Sequence, residues 1–149
     1  MSDSTFTLKM TKTGPFEFRT TFDKDYPDLF FDEPEGVGGN DQYPNASRIM
    51  AAAVANCLSA SLTACFNKSR MPMEDFGLET EVTTTIGRNE EGRLRIQKMD
   101  AKLYPSFGQE LDEKTMKRFE RCVGIFKNYC TVSMSVKDGF DVEATVDLQ

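Results

Sequence analysis

Residues 5–31 alternate loosely between apolar and polar positions. Phe6, Leu8 and Met10 share one parity, Phe16 and Phe18 follow, and Leu29, Phe30 and Phe31 close the stretch. The breaks TGP and KDYPD read as turns, so the pattern predicts two or three short antiparallel strands. Residues 32–44, DEPEGVGGNDQYP, are rich in glycine and proline and predict a loop. Asn45 can then cap a helix from about Ala46 to Lys68. Lys68 and Arg70 suit its negative C-terminal end, and Pro72 cannot continue it. Through residues 49–66 this helix is apolar nearly all round, which predicts burial on most sides.

A hairpin follows. Leu78, Val82 and Ile86 share a face, the turn lies in RNEEG, and the return strand is RLRIQKMDAKLYP. Leu94 and Ile96 have one parity but Met99, Ala101 and Leu103 the other, which predicts a bulge near Gln97–Lys98. Asp112 can cap a second helix through about Tyr129, with Phe119, Cys122, Val123 and Phe126 on one stripe and Cys130 on its extension. Phe140, Val142, Ala144, Val146 and Leu148 alternate with polar residues and predict a final strand. The order of strands, helix, hairpin, helix and strand predicts an α+β fold with a mainly antiparallel sheet. No repeat or low-complexity tract divides the chain, so residues 1–149 are expected to form one domain.

Composition narrows the possible functions. A 39% hydrophobic share over 149 residues suffices for a buried core. The net charge of −6 argues against a nucleic-acid or anionic-membrane partner. No uninterrupted apolar run near about 20 residues is evident, so no membrane span is expected. The N-terminal MSDSTFTLKMTKTG lacks the basic-then-apolar order of a signal peptide. A cytoplasmic location is therefore expected, where cysteines are usually reduced, catalytic or metal-binding. The chain has no histidine, which excludes a Ser-His or Cys-His nucleophile and any His-containing metal site within it.

Cysteine is left as the main chemical candidate. Cys57, Cys65, Cys122 and Cys130 fall into two local pairs. Eight positions along a helix separate two sulfurs by about 12 Å, too far for shared metal ligation. A Cys-x-x-Cys motif is absent. One cysteine from each helix, Cys57 with Cys130, could form a reactive and resolving pair, or each could simply pack as a small hydrophobe. Cys65 and Cys122 read as core.

The stretch DEPEGVGGNDQYPNASRIMAAAVANCLSASL resembles the OsmC/Ohr family, the osmotically inducible and organic-hydroperoxide-resistance proteins. The second half is similar too, with a hairpin, a helix, a cysteine in a segment like Cys-Pro-x-Ser, and a last strand. Here that segment is Cys130-Thr131-Val132-Ser133, followed by FDVEATV. The resemblance covers nearly the whole chain in matching order. It implies an OsmC-like fold of antiparallel sheets around a long buried central helix carrying Cys57, in an intertwined homodimer with active sites at the subunit interface.

The resemblance also implies a thiol-dependent peroxidase that prefers organic hydroperoxides and serves oxidative-stress defence. Cys57 matches the peroxidatic cysteine and Cys130 the resolving one. No cofactor is implied beyond an external dithiol reductant. Arg19, in GPFEFRTTF, is the only arginine before the central helix and takes the part of the family's arginine, which stabilises thiolate and peroxide. A cation is required because Cys57 stands too deep in its helix for the N-terminal dipole, and burial raises a thiol pKa. Phe30, Phe31 and Phe126 could supply an apolar lining.

Two positions depart from the family pattern. Its glutamate near the helix start falls on Arg48 or Ser47, and its proline after the second cysteine on Thr131. They set a second expectation, a catalytically impaired member acting as a small-molecule binding or redox-sensing module.

Overall fold

The computed structural model describes residues 3–147, which fall into two compact units divided between Met50 and Ala51. The first unit holds a three-stranded antiparallel sheet of β1 (Lys9–Lys12), β2 (Phe18–Thr21) and β3 (Leu29–Phe31), in that order. The TGP turn closes where the Thr13 amide donates to the Glu17 carbonyl at 2.9 Å. The glycine-rich loop is wound around Asp32, which is almost fully buried. Its carboxylate accepts from the amides of Glu33 (2.8 Å), Asn40 (3.1 Å) and Gln42 (3.3 Å). A buried charge is tolerable only with such donors. Gly39 is obligatory here, because a Cβ would stand 1.8 Å from the Glu33 carbonyl oxygen.

The long helix α1 spans Ala46–Lys68 as the sequence predicts. Asn45 caps it, its side-chain oxygen accepting from the Arg48 amide at 3.2 Å. Two sequence expectations about α1 are corrected. By length and composition it is apolar enough to cross a membrane, with a mean hydropathy of 1.7 over eighteen residues. Alanine, cysteine and leucine outweigh its interspersed serine, threonine and asparagine. The chain also buries only one stripe of it, Val54, Leu58, Leu62 and Phe66, one residue every turn. Ala53, Asn56, Ala60 and Ala64, on another side, are exposed.

In the second unit, β4 (Gly77–Arg88) and β5 (Leu94–Ser106) form one antiparallel hairpin. Thr85 pairs with Lys98 but Ile86 with Ile96, so Gln97 is the extra residue of the predicted bulge. The extra residue keeps Leu94, Ile96, Met99, Ala101 and Leu103 on one face despite their change of parity. Helix α2 spans Glu113–Ile125, capped by Asp112, whose carboxylate accepts from the Thr115 amide at 2.8 Å. A 3-10 turn over Phe126–Tyr129 follows, and then helix α3, Thr131–Asp138.

Two apolar clusters form the core of this unit. Leu62, Phe66, Met71 and Cys122 make one, with Phe66 packed on the rings of Phe76, Phe107 and Phe119 at centroid distances of 5.8, 5.5 and 5.6 Å. Val54, Leu58 and Cys130 make the other, against which Cys57, Met99, Ala101, Phe126 and Val132 pack.

The expected final strand is not formed. Residues 139–147 adopt no regular structure, and Leu148 lies outside the described residues. Phe140, Val142 and Val146 are 71%, 82% and 97% exposed. The period-2 pattern is present, but a strand needs a neighbour for its backbone groups, and no strand among the described residues pairs with this segment. Helix α3 occupies the preceding residues, stopped at Gly139, where φ is +80°.

Candidate active site

Cys57 lies midway along α1, and Cys130 lies where the 3-10 turn ends and α3 begins. The fold brings these two together. Cys57 packs against the cluster that holds Cys130, near enough for each thiol to alter the other's ionisation, and all four cysteines are free thiols. The two sulfurs meet at the start of α3. Cys130 is its N-cap, with Sγ accepting from the Ser133 amide at 3.4 Å. Cys57 Sγ accepts from the Val132 amide, also at 3.4 Å. The first amides of a helix have no partner within it and carry its positive dipole end, so they favour a thiolate.

The two thiols are nevertheless unequal. Burial and the hydrogen bond with Cys130 raise the Cys57 thiol above its ordinary value, and the Val132 and Thr131 amides offset this only partly. Burial acts to raise Cys130 as well. Hydrogen bonds from Cys57, from the Ser133 hydroxyl and amide, and from Ser61 outweigh it and leave that thiol below its ordinary value. Of the two, Cys130 is therefore the more readily ionised thiol. Access runs the other way, since Cys130 is fully buried and Cys57 is half-buried.

Arg19 belongs to the first unit. It sits on β2 opposite Thr11 and Phe30, with its Nε 3.7 Å from the Asp28 carboxylate. Both side chains are well exposed, so this ion pair is weak and easily exchanged. Phe126 packs beside the cysteine pair, and Phe30 and Phe31 belong to β3 in the first unit. No group of three or more Cys, Asp or Glu side chains is placed to hold a metal among the described residues.

The sequence missed the amide cradle. Its trace was the Cys-x-x-Ser spacing, which matches an N-cap residue and its amide three positions on, in an unfamiliar residue type.

The model of the OsmC-like protein family matches residues 38–145, a span that includes both cysteines. The chain belongs to the OsmC-like family. Solved structures of the same fold bear this out. An OsmC-like protein from Vibrio cholerae superposes with a TM-score of 0.72 at 12% identity, covering 91% of this chain and 95% of that one. An organic hydroperoxide resistance protein from Legionella pneumophila gives 0.62 at 19% identity over 92% of each chain. Another, from Elizabethkingia anophelis, gives 0.55 at 18% over 90% and 91%. A comparison with curated proteins by sequence finds no match. The OsmC-like fold thus accounts for the antiparallel sheets and the long helix.

Proposed function

We propose that this chain is a thiol-dependent peroxidase. It reduces organic hydroperoxides, and hydrogen peroxide more weakly, through a sulfenic acid on Cys57 and a Cys57–Cys130 disulfide. The observation that carries this reading is the contact of the two thiols at the first amides of α3. The hydroperoxide-resistance proteins that share the fold support the choice of substrate.

Cys57 is the attacking group because it is the accessible one. Cys57 gives up its proton, and the thiolate sulfur attacks the outer peroxide oxygen. The O–O bond breaks, the alkoxide takes up a proton to leave as the alcohol, and Cys57 becomes a sulfenic acid. Cys130 then attacks that sulfur, water leaves, and the disulfide forms. An external dithiol returns both cysteines to thiols. Arg19 supplies the positive charge that lowers the cost of a Cys57 thiolate and holds the peroxide oxygen.

The chain acts as a homodimer in the cytoplasm, in oxidative-stress defence. The open alanine side of α1 and the unpaired alternating segment 139–147 support a second copy.

The test is a stoichiometric cumene hydroperoxide challenge followed by thiol counting and disulfide mapping. A Cys57–Cys130 link that is lost in Cys57→Ser is expected, with turnover when dithiothreitol is supplied. Survival of both thiols would defeat the peroxidase. Arg19→Gln should slow the peroxide step at least about tenfold if its charge acts on the thiolate. A second reading, a slow redox-sensing or small-molecule-binding module, draws on the raised Cys57 thiol. It predicts a disulfide without sustained turnover.

A further inference from the structure

The same two stretches of chain bring a second pair of sulfurs together. Cys65 follows Cys57 by eight residues on α1, and Cys122 precedes Cys130 by eight. Cys122 is fully buried in the aromatic cluster around Phe66, and Cys65 packs against it half-buried. Cys122 lies near enough to Cys65 to alter its ionisation, and the Ser69 hydroxyl lies 3.2 Å from Cys122 Sγ. Cys65 also opens on a cleft of about 660 Å³ whose wall carries Lys68, Arg118 and Arg121. A neighbouring dithiol with one buried and one reachable sulfur, beside three cations, is more than packing requires.

We propose that Cys65 and Cys122 form a second redox-active dithiol, oxidised to an intramolecular disulfide by small disulfides that carry carboxylates. Lys68, Arg118 and Arg121 hold the carboxylates at the mouth of the cleft. Cys65, as thiolate, attacks one sulfur of the external disulfide. A mixed disulfide forms, the external S–S bond breaks, and one thiolate leaves to take up the proton Cys65 gave to solvent. Cys122 attacks the Cys65 sulfur, and its proton leaves with the second thiolate. The chain loses two protons and two electrons, and the external disulfide becomes two thiols.

This pair works apart from the first. Eight residues of helix place Cys65 about 12 Å from Cys57, beyond the contact that thiol exchange requires. Burial and the hydrogen bond with Cys122 raise the Cys65 thiol above its ordinary value, with Arg121 acting in the opposite direction, so the exchange accelerates as pH rises.

The experiment uses the full chain carrying Cys57→Ser and Cys130→Ser, so its outcome does not depend on peroxidase activity. Glutathione disulfide, at alkaline pH, should remove both remaining thiols and give a Cys65–Cys122 cross-linked peptide by mass spectrometry. Adding Lys68→Gln and Arg118→Gln should slow this reaction about tenfold by weakening electrostatic attraction, while oxidation by the cationic disulfide cystamine is not slowed. Adding Cys65→Ser instead, at the more exposed position, should leave Cys122 unmodified. Retention of both thiols, a stable adduct on Cys65 with Cys122 still free, or equal slowing with both disulfides would overturn the proposal.

Discussion

Two thiol pairs join α1 to the segment running from α2 into α3, each member eight residues from its counterpart in the other pair. Their surroundings differ at the second sulfur. Cys122 lies inside α2, where the helix consumes its own amides, and its further partner is the Ser69 hydroxyl. Cys130 lies after the 3-10 turn over Phe126–Tyr129 has broken that helix, so fresh amides of α3 face both sulfurs. Four residues of tighter winding thus separate a thiol pair with amide donors from one without. Cysteine spacing alone does not distinguish them. What distinguishes them is where a helix stops and another begins.

The comparison can be broken or sharpened by experiment. Cys57→Ser should reduce hydroperoxide turnover to background, whereas Cys65→Ser should leave it intact. Steady-state assays with cumene hydroperoxide and dithiothreitol decide this, and equal losses would erase the distinction between the pairs. Phe66→Ala should cost about 3–5 kcal/mol in chemical denaturation, as expected for a fully buried ring. It should also expose Cys122 to iodoacetamide well before Cys130. A raised Cys57 thiol means that its nucleophilic form is scarce below that value and grows as pH rises. The peroxide step should therefore climb about tenfold per pH unit through neutrality. Stopped-flow rates that are flat across that range would show a cation already holding Cys57 ionised. Ser133→Ala removes one hydroxyl bond to Cys130 but keeps the amide. It should slow alkylation of Cys130 in the unfolding-free range by about threefold, the worth of one weak hydrogen bond, and leave Cys122 labelling unchanged.

Much of this was legible in the chain. The bounds of α1 follow from Asn45 and Lys68, the start of α2 from Asp112, and the bulge from the parity change between Ile96 and Met99. These are local signals, fixed by backbone groups within a few residues. The pairing of Cys57 with Cys130 was one option left by the cysteine spacing, with packing the stronger reading of the residues, and the resemblance tipped the choice toward it. Helix α3 was missed because TVSMSV has no strong helical stripe and its cap is a cysteine. The terminal alternation over 140–148 read as a strand because period 2 records which side chains share a face. It does not record whether a neighbouring strand is available. The contact of Cys65 with Cys122 was missed for a similar reason. A buried thiol and a paired thiol have the same local sequence, and only the packing of α1 on α2 separates them.

The extra residue at Gln97 makes the hairpin's response to a change of length depend on where the change falls. The half nearer the core, with Met99, Ala101 and Leu103, lies against the apolar clusters that carry the cysteines. Deleting Gln97 would remove the bulge and leave a regular strand, with Ile96 still opposite Ile86 and Leu94 still on the face of Met99 and Ala101. Loss of this one residue should therefore be tolerated, whereas loss of a paired residue inside either regular half should turn the rest of the strand over. The bulge is in effect a slack residue, and a library of one-residue deletions along β5 would find its best-tolerated deletion here.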